Sequence, residues 1–218
     1  MKWIDDSAEQ TAAVTDLILV FVAGGGIFFL HRTGWNESEL LKVHIWSGAI
    51  GFIGVAAALG AVAHGFILSR RVHLRLWQAL NMALALAVSL FVAGVVYDMW
   101  SPAASLRALP LLLITGFGFY LVTLRFPGIF FIFTVYAVLA LLFAFGAYTL
   151  LALHGALKGA GFMAAGVLIS IVAAALQAKK SAVLTLIWKF DHNGIYHLVQ
   201  AVGLLFLLDG LRRSLLGG

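Results

Sequence analysis

Seven long stretches of this chain carry no Asp, Glu, Lys or Arg. They run over 17–31, 43–69, 76–97, 108–124, 126–157, 159–178 and 192–208. A bilayer core of about 30 Å needs about 20 helical residues. Inside it every backbone polar group must be paired, which leaves only helices and closed barrels. The apolar runs are continuous rather than alternating, so a barrel is excluded. The eighth gap, 181–188, is too short to span and reads as a loop. The spacing predicts helices near 11–31, 40–68, 74–98, 104–124, 128–152, 159–178 and 191–213. The fold class is therefore an all-α polytopic membrane protein, a seven-transmembrane-helix bundle in one domain over 1–218. Arg125-Phe126-Pro127-Gly128 reads as a tight break, because proline disfavours helix in the residue before it. Ser38 reads as the N-cap of the second span.

Composition closes off the other classes. Only 11% of the 218 residues are charged and 63% are apolar, against about 25% charged in a soluble domain. The 14 basic and 9 acidic residues are spread thinly, so the net charge of +5 is no nucleic-acid patch. With no cysteine there is no disulfide, thiol nucleophile or iron–sulfur ligand. The first nine residues hold Asp5, Asp6 and Glu9 and lack a basic n-region, so no cleaved signal peptide is expected. Eight basic residues fall on the N-terminal side and six on the other, which points to a cytoplasmic N-terminus. The expected location is a bacterial inner membrane.

Where hydrocarbon is the solvent, the polar residues are the informative ones. Asp16 lies early in span one and His64 late in span two. Gln78 and Asn81 open span three. Asp191, His192, Asn193, His197 and Gln200 open span seven. Because spans alternate in direction, all of these fall in one leaflet. Asn193 and His197 are four residues apart and share a helix face, while His192 is offset and pairs with Tyr196. Histidines and a carboxylate at one depth suit zinc, which takes neutral imidazole and keeps a catalytic position open for water. The bland alternative is interhelical hydrogen bonding, worth roughly 0.6 kcal/mol per contact. On the opposite side, His31, His44, Ser47, Asp98, His154 and Asp209 read as interfacial anchors. Trp35, Trp46, Trp77, Trp100 and Trp188 read as an aromatic belt. Gly24 to Gly26, and the series Gly48, Gly51, Gly54, Ala57 and Gly60, offer small surfaces for close helix approach.

These positions resemble the CREST superfamily, which contains the alkaline ceramidases, the progestin and adipoQ receptors and the hemolysin III relatives. The family motif Ser-x-x-x-His of span two is represented here by Gly60-Ala-Val-Ala-His64. Its span-three Asp falls at Asn81, and its His-x-x-x-His of span seven reads Asn193-Gly-Ile-Tyr-His197. The resemblance implies a zinc site near one membrane face and hydrolysis of a lipid amide. On it, His64 and His197 are metal ligands, with His192 or Asp16 completing the set. Asn81, Asn193 and Asp16 are the candidate catalytic residues. Three functions follow: a metal-dependent intramembrane lipid amide or ester hydrolase, a non-catalytic seven-helix lipid-binding or sensing protein, and a small transporter. Spans four to six offer few polar groups for a transport path. The expected partner is membrane lipid, not nucleic acid, and the expected assembly a monomer or small homo-oligomer.

Overall fold

The computed structural model describes residues 2–32, 35–126, 130–179, 183–185 and 188–217. It is 86% helical. The helices are α1 (Ser7–Arg32), α2 (Glu37–Gly65), α3 (Arg70–Met99), α4 (Pro102–Arg125), α5 (Phe130–Leu153), α6 (Ala160–Ala178) and α7 (His192–Leu215). All seven are long and apolar enough to cross a membrane. Each overlaps its expected span closely, because charged residues mark the ends of the apolar runs.

The ends are set by local chemistry. Asp6 accepts from the Ala8 and Glu9 N–H groups at 2.8 and 3.3 Å, so α1 starts four residues earlier than expected. Glu39 accepts from the Asn36 N–H at 3.1 Å, which makes Asn36 the cap of α2 and places Ser38 inside its first turn. Asp191 accepts from the Asn193 and Gly194 N–H groups at 3.0 and 2.9 Å and caps α7. Pro127 and Gly128, the expected break, lie outside the described residues. Two short strand pairs stand outside the helices. β1 (Lys2–Trp3) pairs antiparallel with β2 (Phe66–Ile67), which is why α2 stops at Gly65. β3 (Leu184–Thr185) pairs with β4 (Lys189–Phe190) in the segment expected to be a plain loop.

Six helices close a ring, in the order α1, α2, α3, α5, α6, α7 and back to α1. α4 lies outside it, packed on α3, with Ser105 and Gly116 its buried residues. The ring surrounds a core of Trp46, Ile50, Val95, Tyr148, Met163, Leu204 and Leu211. Large apolar side chains such as Phe21, Phe29, Leu111 and Ile114 are exposed on the outside of the helices. Trp46 is fully buried in this core rather than in an aromatic belt.

Lipid tails are as apolar as leucine, so helix association relies on close contact. The tightest seam joins α6 and α7. A Cβ on Gly166 would stand 2.6 Å from the Gly203 carbonyl oxygen, and one on Gly210 would stand 2.7 Å from the Met163 nitrogen. On α2, Gly54 faces Ala23 of α1, whereas Gly24 and Gly25 look into open space. The α6–α7 seam was not expected from sequence, although Gly159/Gly166 and Gly203/Gly210 each repeat at seven residues.

Candidate functional site

α1 brings its polar residues to the histidines of two other helices. Glu9, Asp16 and Thr15 lie within two turns of one another near its start. Glu9 Oε2 is 2.6 Å from His64 Nδ1 on α2. Asp16 Oδ1 is 3.3 Å from His197 Nε2 on α7. Thr15 Oγ1 is 3.1 Å from His197 Nδ1. The two imidazole centroids are 6.4 Å apart, and the Trp77 ring of α3 packs edge-on against His64 at 5.8 Å. Asp16 and His197 are buried, and Glu9 is the most open member of the group, with its side chain 39% exposed.

Thr15 Oγ1 lies 2.9 Å from the carbonyl oxygens of Thr11 and Ala12, and a hydroxyl has one proton to give. Where that proton goes to a carbonyl, Thr15 accepts from His197 Nδ1, and Nε2 of the neutral ring is then an acceptor facing Asp16. In that tautomer the 3.3 Å approach of Nε2 to Asp16 Oδ1 needs a proton or a cation between them. The second oxygen, Asp16 Oδ2, is buried without a hydrogen-bond partner among the described residues. So is Asn81 Oδ1, one turn deeper than Trp77 on the same face of α3.

Gly60 is part of the same arrangement. A Cβ there would stand 2.6 Å from Asp16 Oδ2. The carboxylate of α1 thus fills the space that a side chain on Gly60 would need.

Of the candidates read from sequence, Asp16, His64 and His197 come together. The others stand differently. His192 Nδ1 lies 3.7 Å from Asp191 Oδ2 at the start of α7, rather than in the histidine pair. Asn193 gives its side-chain amide to Asp191 Oδ2 at 3.3 Å, so it serves the helix cap. Among the described residues Asn81 forms no hydrogen bond with the group, and its side-chain oxygen is buried without a partner. Gln200 bonds Ser170 across the α6–α7 seam at 3.1 Å. Glu9 and Thr15 were not singled out in the sequence. Starting the helix at Ser7 gives the signal, since Glu9 and Asp16 are then seven residues apart on one face.

The fit to a metal is close at one edge and wide at another. Ligand atoms on a tetrahedral zinc at 2.0–2.1 Å stand about 3.3 Å from each other, the spacing of Asp16 Oδ1 and His197 Nε2. Two imidazoles sharing such an ion have centroids about 5 Å apart, so His64 stands about 1 Å too far out. Among the described residues, no three His, Cys, Asp or Glu side chains are yet gathered as a ligand set. Both histidines do have an outer nitrogen fixed by a neighbour, as metal-binding histidines do.

The opposite end of the ring holds a second polar group. Lys42 Nζ of α2 is 2.6 Å from Asp98 Oδ1 of α3, with side chains 7% and 1% exposed. Lys42 also donates to Ser214 of α7 at 2.8 Å, and the Tyr148 hydroxyl of α5 donates to Asp98 Oδ2 at 2.9 Å. Asp98 is therefore a buried ion-pair member, not an interfacial anchor. The other anchors fit their reading better. His31 bonds Ser47 at 3.0 Å on an exposed surface, and Asp209 pairs with Arg213 at 2.9 Å.

No curated protein and no solved structure matches the chain. A family match covers residues 11–216, and so nearly the whole of the seven-helix bundle: the chain belongs to DUF6962, a family of unknown function.

Proposed function

We propose that this protein is a metal-dependent intramembrane hydrolase that cleaves an amide or ester link of a membrane lipid. The carrying observation is the close approach of Asp16 Oδ1 to His197 Nε2, at 3.3 Å and with Asp16 Oδ2 unpaired among the described residues. Asp16, His197 and His64 would hold the ion, with His64 drawn inward by about 1 Å. Zinc there would polarise an acyl carbonyl and bring the pKa of a bound water to about 7. Thr15 fixes the His197 ring, and Glu9 fixes His64. Asn81 Oδ1 is free to accept from a lipid amide or hydroxyl. The resemblance of the Gly60–His64 and Asn193–His197 segments to CREST motifs supports this reading. The basic residues favour a cytoplasmic N-terminus in a bacterial inner membrane.

A second reading also rests on an observation. Glu9 and His64 already pair at 2.6 Å, which suits a proton-filled hydrogen-bond core in a non-catalytic lipid-binding protein. Metal analysis separates the two. The detergent-purified protein is supplied with zinc and washed, beside Asp16→Asn, His64→Ala and His197→Ala. The hydrolase reading expects about one zinc per chain, lost in all three variants. A wild-type protein that stays metal-free refutes it and leaves the hydrogen-bond core.

A further inference from the structure

A second pair of histidines meets at the other end of the bundle. α1 and α2 run antiparallel in close register, with Gly51 against Ile27 and Gly54 against Ala23. That register brings His31, in the last turn of α1, against α2, where its Nε2 lies 3.0 Å from Ser47 Oγ. His44 stands three residues before Ser47, on the same face of α2. The ring centroids of His31 and His44 are 6.0 Å apart. Both residues are exposed. Neither joins an ion pair among the described residues.

The surroundings leave this pair open to a cation. Lys42, two residues before His44, is tied inward to Asp98 and Ser214. Arg32, beside His31, lies over the Phe28 ring at 5.7 Å. Ser47 engages only Nε2 of His31, so Nδ1 of that ring and both nitrogens of His44 have no hydrogen bond among the described residues. An unengaged imidazole nitrogen is a ligand for zinc, copper or nickel. The spacing decides among them. With nitrogens about 2.0 Å from an ion, two imidazole centroids stand about 5 Å apart in a tetrahedron and about 6 Å apart when trans. The pair is at the trans distance, and among the described residues no carboxylate pairs with either ring as Asp16 does with His197. Trans nitrogens belong to tetragonal ions, copper(II) and nickel(II), of which copper binds the more tightly.

We propose that His31 and His44 form a copper(II) site, with one nitrogen of each ring trans across the ion and water in the remaining positions. Ser47 is its positioning residue. It holds Nε2 of His31 and so presents Nδ1 to the ion, as outer partners of metal-bound histidines do. The site ties the end of α1 to α2, at the end of the bundle away from His64 and His197. It does not rest on the hydrolase reading.

The test uses the full chain in mild detergent, stripped of metal and titrated with copper(II) near neutral pH. Bound copper is counted after dialysis, and electron paramagnetic resonance reads how many nitrogens lie on it. H64A/H197A is run beside wild type, which keeps the candidate metal centre out of the reading. This chain is expected to hold one copper with a two-nitrogen signature that an equal amount of zinc does not displace. Adding His31→Ala or His44→Ala to it should abolish the signature, with far-UV circular dichroism unchanged because both rings are exposed. Ser47→Ala should weaken the copper about 10–100-fold. His154→Ala, a further exposed histidine at the same end, should leave it unchanged. Copper held by one nitrogen or none, a two-nitrogen copper that survives His31→Ala or His44→Ala, or displacement by equal zinc overturns the proposal. A wild-type chain that takes this copper but no zinc keeps the site and loses only the metal centre, so the two readings fail separately.

Discussion

Lys42 and Asp98 give the sharpest test of how the bundle is held. Their charges are 2.6 Å apart, and both side chains are almost sealed from solvent. At an effective dielectric of about 20, a pair at that distance attracts by roughly 6 kcal/mol, much of it offset by the cost of taking both ions out of water. Removing one partner leaves the other charge buried and uncompensated, at a cost of about 3–5 kcal/mol. Lys42→Met leaves Asp98 without its cation, beside the Tyr148 hydroxyl, and Asp98→Asn leaves Lys42 without its carboxylate, beside Ser214. Each single variant should therefore lose about 3–5 kcal/mol. The double variant should recover most of that loss, because no unpaired charge remains. The assay is reversible unfolding in detergent, followed by far-UV circular dichroism, with the four proteins arranged as a double-mutant cycle. A coupling energy below about 0.5 kcal/mol would refute the reasoning, since it would mean that water reaches the pair.

The other predictions are smaller in scope. Gly166→Ala places a methyl against the Gly203 carbonyl and the Leu207 backbone, neither of which can yield cheaply, so α6 and α7 must part. It should cost about 1–3 kcal/mol in the same unfolding assay, whereas Gly25→Ala, facing open space, should be neutral or up to about 1 kcal/mol stabilising. Gly60→Ala drives its methyl into the Asp16 carboxylate and should lower zinc content while far-UV circular dichroism stays unchanged. Glu9→Gln keeps a hydrogen bond to His64 but removes the charge, and should weaken zinc binding about 10–100-fold, as loss of an outer partner commonly does.

The bundle was legible because charge breaks the apolar runs, but two helix starts were misplaced: Asp6 starts α1 four residues early, and Asn36 rather than Ser38 caps α2. The convergence of Asp16, His64 and His197 was legible from depth alone, since alternating spans place them in one leaflet. Depth says nothing about which way a side chain turns. Asn193 and His192 share the leaflet of His197, yet the backbone N–H groups at the start of α7 hold Asp191, which in turn holds both of them. Asp98 failed for the opposite reason. A carboxylate near a helix end normally finds water at the interface, and only the fold shows Lys42 of α2 and Tyr148 of α5 arriving to hold it inside. Trp46 was misread with it, being one turn deeper than Lys42 on the same side of α2.

One helix supplies the partners of both histidines. His64 and His197 sit on α2 and α7, but Glu9, Asp16 and Thr15 all belong to α1. The axial seating of α1 therefore sets both pairings at once. A slide of one turn, about 5.4 Å, would strip both rings of their partners together. The strand at its front resists that slide: Lys2 and Trp3 pair with Ile67 and Phe66, and the Ile4 N–H bonds the Gly65 carbonyl at 3.0 Å. These few residues, at the edge of the bundle, act as the depth stop of a key whose teeth are Glu9, Thr15 and Asp16.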